Sequence, residues 1–437
     1  MVGRAAGRVR RGRRVIARAV ERYLGSPVAR WVAAVLAALG TLALTVGVPG
    51  LGLLPYRIDL DVYRTGGQVF RDGGDLYGEL PPLAEGAHLP FTYPPLSAEL
   101  FSVFTVVPLS VASVLVSLAT VACLGLVVYL VLQATTGHTR AELWWLTAAV
   151  LAVALWTGPV RETLGFGQVN VFLMALVVVD CLRGRGRWWG GVLVGLATAV
   201  KLTPAVFVLW FLLRRDWRGA ATAMASAVLF TGLGHLLAPD DSYRYWTFAL
   251  RDPSRIGGLA FASNQSINGE VHRLGLEGTA ASAAWFVACC LFGLAVCVVA
   301  WRLVARGHET GALSAVALVA LFCSPVSWGH HWVWAVPMLV LALVWAAGSP
   351  SPADARGWAW LAGVGVLVFL ATPQWWFPHN DDRELGWGPV AHVLGNAYLW
   401  WALAFLVLAG LRAGRLGAAD RGVDPAADRR VFPGPGR

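Results

Sequence analysis

Charged residues are scarce in this 437-residue chain, where Asp, Glu, Lys and Arg together account for only 14% of positions. Hydrophobic residues account for 57%, and the mean hydropathy is +0.61. Soluble domains carry about 25% charged residues, so this composition excludes an ordinary soluble protein. The short alternating polar and apolar segments of a membrane β-barrel are also lacking. We therefore predict an all-α fold, a polytopic membrane helix bundle.

Motifs for several kinds of chemistry are absent as well. No GxxxxGK[ST] sequence provides a phosphate-binding loop, so no ATP-driven step is indicated. The six cysteines lie in or beside apolar segments, without the spacings of zinc sites or disulfide frameworks. We expect them to be small apolar packing residues. The sequence therefore predicts no metal site and no cofactor.

Apolar segments long enough for membrane helices recur along the chain. At roughly 20 residues per span, a bundle of about 10–13 segments fits this length. Segment 188–214 has arginine-rich loops on both sides and Leu202-Thr203-Pro204 at its centre. We expect it to form two short helices that enter the membrane and return. The other spans are placed near 31–54, 108–133, 142–158, 168–183, 217–238, 280–305, 311–324, 330–347, 357–375 and 390–412.

The arginine distribution predicts the orientation. Residues 1–30 hold nine arginines and one glutamate. Such arms can bind nucleic acid, but a cytoplasmic arm on anionic lipid is the simpler interpretation, and we predict no nucleic-acid partner. By the positive-inside rule, both termini are then cytoplasmic in a multi-pass plasma-membrane protein. The membrane domain is expected over 31–412 and a disordered cytoplasmic tail over 413–437. Structured extracytoplasmic loops are expected at 55–107 and 239–279, with shorter ones at 159–167, 325–329 and 376–389.

Two carboxylates, Asp59 and Asp61, follow the first apolar segment and open the first outer loop. One interpretation is structural, because an N-cap acid and a first-turn acid both stabilise the start of a helix. The other is catalytic, because a carboxylate at the outer face could deprotonate an acceptor hydroxyl as a general base. The Asp-X-Asp pattern alone is compatible with both.

Adjacent histidines, His330 and His331, interrupt two apolar segments on the same outer side. Neighbouring helical positions diverge by about 100°, so we expect at most one of them to face a given cavity. One interpretation is that they are interfacial side chains whose polar ends contact water. The other is that one of them donates a hydrogen bond to a phosphate or a sugar. Without partner acids or cysteines, the pair is a poor metal site.

The chain contains a single lysine, Lys201, among 35 basic residues. A cation deep in apolar sequence, at the predicted turn between two short helices, is costly unless an anion meets it. One interpretation is a buried pair with a helix carboxylate or with backbone carbonyls. The other is a compact ammonium that binds a lipid phosphate.

Polar side chains cluster in two further places. Gln168 and Asn170 follow Arg161 at a short outer loop, where they could bind sugar hydroxyls or satisfy a bent helix terminus. Asn264 and Gln265 begin a polar run in the second large loop, which suits an acceptor glycan. We interpret the match of this run to a glycosylation sequon as a coincidence.

These stretches together resemble the GT-C glycosyltransferases that use polyprenyl-phosphate sugars, and more narrowly glycosyltransferase family 87, which contains actinobacterial α-mannosyltransferases. The resemblance covers about residues 30–410. Each motif alone is unspecific, whereas six in the expected order are fairly specific. They are Asp59-Leu60-Asp61-Val62-Tyr63, Phe91-Thr92-Tyr93-Pro94-Pro95-Leu96, Gly167-Gln168-Val169-Asn170, Lys201-Leu202-Thr203-Pro204, Ser263-Asn264-Gln265-Ser266, and Ser324-Pro325-Val326-Ser327-Trp328 with His330-His331.

The resemblance implies an inverting mannosyl transfer from polyprenol-phosphate-mannose to a glycolipid or lipoglycan acceptor on the extracytoplasmic side. Asp59 matches the family's aspartate and would be the base, with Asp61 as second choice. The developing phosphate charge would be held by Lys201, Arg161 and one histidine, of which we favour His331. A divalent metal is possible but not favoured, because the donor carries a single phosphate. The expected sugar- or acceptor-binding residues are Tyr63, Arg64, Tyr93, Gln168, Asn170, Asn264 and Gln265.

A second class of function has to be weighed against transfer. A transporter or flippase for a polyprenyl-linked glycan would also need a polar cavity and a buried cation. The absence of a recognisable inverted repeat disfavours transport, as do the large outer loops that carry nearly all candidate groups. Within the enzyme class, an arabinosyl or glucosyl donor is an alternative, because motif spacing shows nothing about sugar contacts.

Overall fold

The computed structural model describes residues 15–47, 56–252, 255, 257–349 and 351–419, and no β-strand occurs among them. The α-helices are α1 (15–25), α2 (Pro27–Val46), α3 (Ile58–Arg71), α4 (Pro95–Phe101), α5 (Leu109–Thr135), α6 (Arg140–Ala154), α7 (Gly158–Phe166), α8 (Asn170–Arg183), α9 (Val192–Val200), α10 (Val208–Leu213), α11 (Trp217–Leu237), α12 (Pro239–Thr247), α13 (Ile267–Arg273), α14 (Gly278–Val304), α15 (Glu309–Cys323), α16 (Ala335–Gly348), α17 (Pro352–Ala371), α18 (Pro389–Gly395) and α19 (Ala397–Ala419). Short 3₁₀ helices occupy Ser102–Val106, Thr203–Phe207, Ala249–Arg251, Gly329–Trp334, Pro373–Trp376 and Arg383–Gly386.

Seven helical segments of the described chain are long and apolar enough to cross a membrane: α2, α5, α11, α14, Gly329–Gly348, α17 and the Ala397–Gly414 part of α19. Helices α6 and α7 pass the same test together but are bent by 80° at a short break, so they add an eighth span if they count as one. The predicted spans 168–183 and 311–324 correspond to the shorter helices α8 and α15, of 14 and 15 residues. The prediction of an all-α membrane helix bundle is confirmed.

The predicted division of segment 188–214 is present. Helix α9 ends at Val200, and a 3₁₀ helix with Pro204 in its first turn follows from Thr203. Proline has no N–H to donate and its ring clashes with the preceding turn, so α9 cannot continue through it. The break leaves Lys201 in an extended conformation between two short helices. Its predicted re-entrant path through the membrane stays a prediction.

One predicted outer loop is a helix. Residues 159–167 were expected to form a loop, whereas α7 spans Gly158–Phe166, with Pro159 at its beginning. Proline is well suited to a first helical turn, because its missing N–H would have no partner there. Gly167 ends the helix in the left-handed conformation, at φ 75°. A side chain on Gly167 would also lie 2.7 Å from the Cβ of Leu60 in α3.

The ends of the bundle also differ from the prediction. The tail was expected to begin at residue 413, but α19 continues through Ala419, because its apolar pattern extends past the expected boundary. The first span was placed at 31–54, whereas α2 begins at Pro27, where the Ser26 side chain accepts a bond from the Ala29 N–H. The helix ends at Val46. The predicted arm before residue 15, residues 48–55 and the tail from 420 onward lie outside the described residues.

From residue 56 on, the first large outer loop is folded around α3, as the sequence predicts. Tyr63 of α3 stacks on Phe101 of α4, with ring centroids 4.3 Å apart, and meets Tyr93 edge-on at 5.2 Å. A Cβ at Gly67 would lie 2.7 Å from the backbone nitrogen of Ser102, so α3 and the end of α4 approach too closely for any larger residue. This aromatic packing gives the loop a rigid side that faces the bundle.

Candidate functional site

A cavity of about 410 Å³ lies between α3, the break after α9 and the 3₁₀ helix Gly329–Trp334. Polar groups from six separate parts of the sequence line it. The cavity therefore brings together most of the side chains that the sequence analysis selected: Asp59, Tyr63, Tyr93, Gln168, Lys201, His330 and His331.

A buried arginine anchors the start of α3. Arg57 is only 1% exposed, and its Nε donates to the carbonyl of Leu164 at 3.0 Å. Its Nη2 donates to the carbonyls of Leu44 and Thr45, each at 2.9 Å. Arg57 thus joins the ends of α2 and α7 to the residue from which α3 begins, and this places Asp59. The sequence analysis missed this arginine because nothing in its pattern separates it from other arginines beside a span.

The Asp59 carboxylate faces the cavity and has an amide partner. Gln168 Nε2 donates to Asp59 Oδ2 at 2.6 Å, and Gln168 Oε1 accepts from the hydroxyls of Tyr63 (2.9 Å) and Tyr93 (3.2 Å). Burial raises the pKa of Asp59 to about 6, although the Gln168 bond and the charge of Lys201 act in the opposite direction. A carboxyl group with this pKa is ionised at neutral pH yet basic enough to accept a proton.

Lys201 reaches the cavity from the break after α9, outside the candidate membrane spans. Its Nζ lies 3.1 Å from Asn170 Oδ1, 3.1 Å from His331 Nε2, and 5.3 Å from the centroid of the Tyr93 ring. Burial lowers the pKa of Lys201 to about 8, while the negative charge of Asp59 raises it. Asn170 Oδ1 is a neutral acceptor for the ammonium, so the charge remains available to an incoming anion.

Both histidines line the cavity. We expected at most one, but that expectation assumed a continuous α-helix. The pair instead lies in the first turn of a 3₁₀ helix, and the two rings pack edge-on with centroids 4.7 Å apart. The carbonyl of His330 accepts bonds from Thr163 Oγ1 at 3.1 Å and Asn170 Nδ2 at 3.2 Å, while its ring nitrogens have no partner. His331 Nδ1 accepts the backbone N–H of Trp328 at 3.1 Å.

The second acid of the Asp-X-Asp pair lies elsewhere. Asp61 Oδ2 accepts the hydroxyl of Tyr56 and the backbone N–H of Ala84, each at 2.8 Å. Asp61 is buried and is not part of the cavity lining. These bonds connect α3 to the loop that follows it. Neither Arg64 nor Arg161 lines the cavity.

The polar run at 264–270 is also turned away from the cavity. Asn264 and Gln265 are fully buried. Asn264 Nδ2 donates to the carbonyls of Leu259 and Pro325, and Gln265 Nε2 donates to those of Ala262 and Gly395. These side chains hold the second outer loop against the bundle, so the structure does not bring them to the site predicted for them.

The cavity lining also includes residues that the sequence analysis did not select, among them Trp328 and Arg255. Trp328 follows the predicted break before the histidines, and Arg255 lies in the second outer loop, where it donates to the carbonyl of Tyr77 at 3.1 Å. Arg255 is one of many arginines, and no local pattern separates it from the others. Only the packing of the second outer loop against the first makes it part of the cavity wall.

A narrow apolar groove meets the cavity at its base. Lys201, Thr203, Ser324 and His331 line both. Beyond them the groove is lined mainly by apolar side chains from α8, α15 and the two 3₁₀ helices Thr203–Phe207 and Gly329–Trp334, including Leu173, Met174, Val177, Phe207, Leu321 and Trp334. The ammonium and the imidazole therefore stand at the junction between a polar chamber and an apolar groove.

Within the described residues, no three His, Cys, Asp or Glu side chains are grouped so that they could hold a metal ion. The acids and histidines of the cavity do not form such a group. The expectation that the protein needs no metal stays a prediction.

Residues 91–325 match the family model of glycosyltransferase family 87. The chain belongs to glycosyltransferase family 87. A protein of Mycobacterium tuberculosis named polyprenol-phosphate-mannose-dependent alpha-(1-2)-phosphatidylinositol mannoside mannosyltransferase is 41% identical over 382 residues, which cover 82% of this chain and 86% of the relative. A Mycolicibacterium smegmatis protein of the same name is 39% identical over 398 residues, 84% of this chain and 87% of the relative.

A second M. tuberculosis relative, named a phosphatidylinositol pentamannoside mannosyltransferase with the same donor dependence, is 33% identical over 359 residues. These residues cover 79% of this chain and 81% of the relative. Family 87 membership and the helical architecture make this chain a multi-pass membrane glycosyltransferase of the GT-C type. The family match begins at Phe91, so α3 with Asp59 lies before it.

Proposed function

We propose that this glycosyltransferase moves a mannosyl residue from polyprenol-phosphate-mannose to a phosphatidylinositol mannoside on the extracytoplasmic side of the membrane, and forms an α-(1→2) linkage. The donor, the acceptor class and the linkage are carried over from the names of relatives that align with about four-fifths of the chain. The outward orientation rests on the arginine distribution of the sequence.

The observation that carries the proposal is the position of Lys201 and His331 at the junction of a polar chamber and an apolar groove. A lipid-phosphate sugar has three matching parts: a charged phosphate, a polar sugar and an apolar chain. Its phosphate would lie against Lys201, its isoprenoid chain would follow the groove past Leu173 and Met174, and its mannose would enter the chamber that contains Asp59. Burial of the chain in an apolar groove favours binding by about 0.8 kcal/mol per CH₂ group.

In the proposed step, an acceptor hydroxyl oxygen attacks the anomeric carbon on the face opposite the phosphate. A carbon–oxygen bond to the acceptor forms as the bond to the phosphate oxygen breaks, and the phosphate leaves with the bonding electrons. The hydroxyl proton moves to Asp59, the general base. A single displacement inverts the anomeric centre, so a β-linked donor gives an α-linked product.

The leaving phosphate gains negative charge during this step. Lys201 Nζ and a donor nitrogen of His331 are placed to stabilise that charge, as preorganised donors do in other transfer sites. His330 has no partner for either ring nitrogen, and its ring lines the chamber. We assign it to a hydroxyl of the sugar or the acceptor. Arg161 lies outside the cavity lining and receives no role in the step.

The test is a transfer assay with the purified protein in lipid vesicles. Radiolabelled polyprenol-phosphate-mannose and phosphatidylinositol mannosides of defined mannose number would be supplied to wild type and to Asp59→Asn. We expect label in a longer glycolipid with the wild type alone, and equal donor binding by both proteins. Mass spectrometry and linkage analysis would identify the product. Transfer from an arabinosyl or glucosyl lipid donor but not from the mannosyl one would overturn the donor assignment.

A further inference from the structure

Asp59 is held by a chain of hydrogen bonds that begins at two tyrosines. Tyr63 and Tyr93 donate to Gln168 Oε1, and their hydroxyl oxygens lie 2.8 Å from each other. Gln168 Nε2 then donates to Asp59 Oδ2 at 2.6 Å. Only Oδ2 of the carboxylate is engaged by Gln168, and the Gln168 side chain is 6% exposed. This nearly buried amide therefore has a protein partner at each end, which makes it a link between the tyrosines and the carboxylate.

The direction of these bonds follows from the charge of Asp59. An ionised carboxylate can only accept, so the amide nitrogen of Gln168 must face it and the amide oxygen must face the tyrosines. Phenol hydroxyls can donate to that oxygen, and burial raises the pKa of both Tyr63 and Tyr93, so both stay protonated donors. The tyrosines therefore stabilise the orientation in which the amide nitrogen of Gln168 donates to the Asp59 carboxylate.

We propose that Gln168 is a positioning residue for the base. Gln168 holds Asp59 by Oδ2 and leaves Oδ1 to accept the proton of the acceptor hydroxyl. Tyr63 and Tyr93 keep the Gln168 amide in the required orientation. This assigns to Gln168 a role different from the sugar contact expected from the sequence. It rests on the proposed function, in which Asp59 is the base.

The local backbone supports this positioning. Gly167, directly before Gln168, adopts a left-handed conformation and lies so close to α3 that a Cβ there would clash with Leu60. The close approach of Gly167 to α3 therefore places the Gln168 amide beside the first turn of that helix. A carboxylate that can rotate freely presents its proton-accepting oxygen only part of the time, and a misplacement of about 1 Å can lower a rate by about 100-fold.

The test compares Gln168→Met, which removes both ends of the amide at similar volume, with wild type in the mannosyl transfer assay. We expect kcat to fall by about 10- to 100-fold, with the KM for the donor unchanged. Loss of a donor to the ionised carboxylate raises its pKa, so the acidic limb of the kcat profile should move to higher pH. The other ionisable groups around the cavity are unaltered in this variant, namely Tyr63, Tyr93, Lys201, Tyr245, Arg255, His330 and His331.

A matched control is available on the same helix. Gln68 Nε2 donates to both carboxylate oxygens of Asp72 at 2.9 Å, but this pair lies on the exposed side of α3. Gln68→Met should leave kcat and its pH profile as in the wild type. The double variant Tyr63→Phe with Tyr93→Phe should shift the acidic limb in the same direction as Gln168→Met. A raised KM with an unmoved limb in Gln168→Met would overturn the positioning role and show that Gln168 binds substrate.

A second measurement separates this inference from the donor assignment. The carbonyl stretch of protonated Asp59 can be followed by infrared titration, with Asp59→Asn as the reference that lacks the band. The titration needs no transfer activity. A midpoint at higher pH in Gln168→Met than in wild type supports the hydrogen-bond chain even if the wild type does not use a mannosyl donor. Identical midpoints would contradict it, even if mannosyl transfer is confirmed.

Discussion

Lys201 Nζ lies 3.1 Å from His331 Nε2. Because His331 Nδ1 accepts the backbone N–H of Trp328, the proton of a neutral His331 ring must be on Nε2. Two groups that donate hydrogen bonds therefore point toward the same space. A phosphate oxygen that accepts from both would satisfy this pair, so the geometry is better suited to a bound anion than to an empty site.

Replacement of Lys201 by methionine should weaken donor binding. The variant keeps much of the apolar stem but removes the charge that would meet the phosphate, and a charge-assisted bond contributes about 1.5–3 kcal/mol. We expect the Kd for polyprenol-phosphate-mannose to rise by about 10- to 100-fold. Equilibrium binding with radiolabelled donor, beside thermal unfolding in detergent, measures the effect. A large fall in Tm with unchanged donor affinity would show instead that Lys201 is a structural buried cation.

The pH dependence of kcat/KM should be bell-shaped. Asp59 must be ionised to act as base, and burial raises its pKa to about 6, so activity should fall as the pH drops below that value. Lys201 must be protonated to bind phosphate, and burial lowers its pKa to about 8, so activity should fall as the pH rises above that value. Initial rates at subsaturating donor across this range provide the measurement.

Lys201→Arg is the matched variant for the alkaline limb. Arginine keeps its charge throughout the accessible pH range, so this limb should disappear even if the larger side chain lowers the overall activity. An alkaline limb that persists in Lys201→Arg would assign it to another group.

The two acids of the Asp-X-Asp pair should respond differently to the same substitution. Asp61→Asn weakens the bonds to Tyr56 and to the Ala84 N–H, so it should lower the free energy of unfolding by about 1–3 kcal/mol and change kcat little. Asp59→Asn should reduce kcat by about 10²- to 10⁴-fold without loss of stability. Thermal unfolding and transfer rates of both variants test this. The opposite distribution of effects would assign the base role to Asp61.

A bulky residue in the apolar groove should discriminate between donors by chain length. Met174→Trp would overfill the groove at a cost of about 1–3 kcal/mol, so the KM for a donor with a long isoprenoid chain should rise about tenfold. A donor with a very short chain should be little affected, because it would not extend that far.

The control for the groove is Leu229→Trp in α11, a position that is 69% exposed. It should leave both KM values unchanged. Equal effects of Met174→Trp on the long-chain and short-chain donors would show that the isoprenoid chain lies elsewhere.

Local signals in the sequence were sufficient for the fold class and for several site residues. Apolar runs of membrane length predict helices because the bilayer leaves no other way to satisfy backbone polar groups. Leu202-Thr203-Pro204 predicts the break because proline cannot continue a helix. Lys201 stands out because an unpaired cation in apolar sequence is costly. Each of these conclusions depends on residues that are adjacent along the chain.

Tertiary structure decided which polar side chains meet. The Asp-X-Asp spacing alone does not separate Asp59 from Asp61, yet only Asp59 faces the cavity, because α3 is anchored by the Arg57 bonds to two other helices. Gln168 faces Asp59 rather than open space because Gly167 turns the end of α7 toward α3. The bonds from Arg57 to Leu164 and from Gln168 to Asp59 join residues 107 and 109 positions apart. Their geometry depends on how helices pack, and helix packing leaves no local pattern in the sequence.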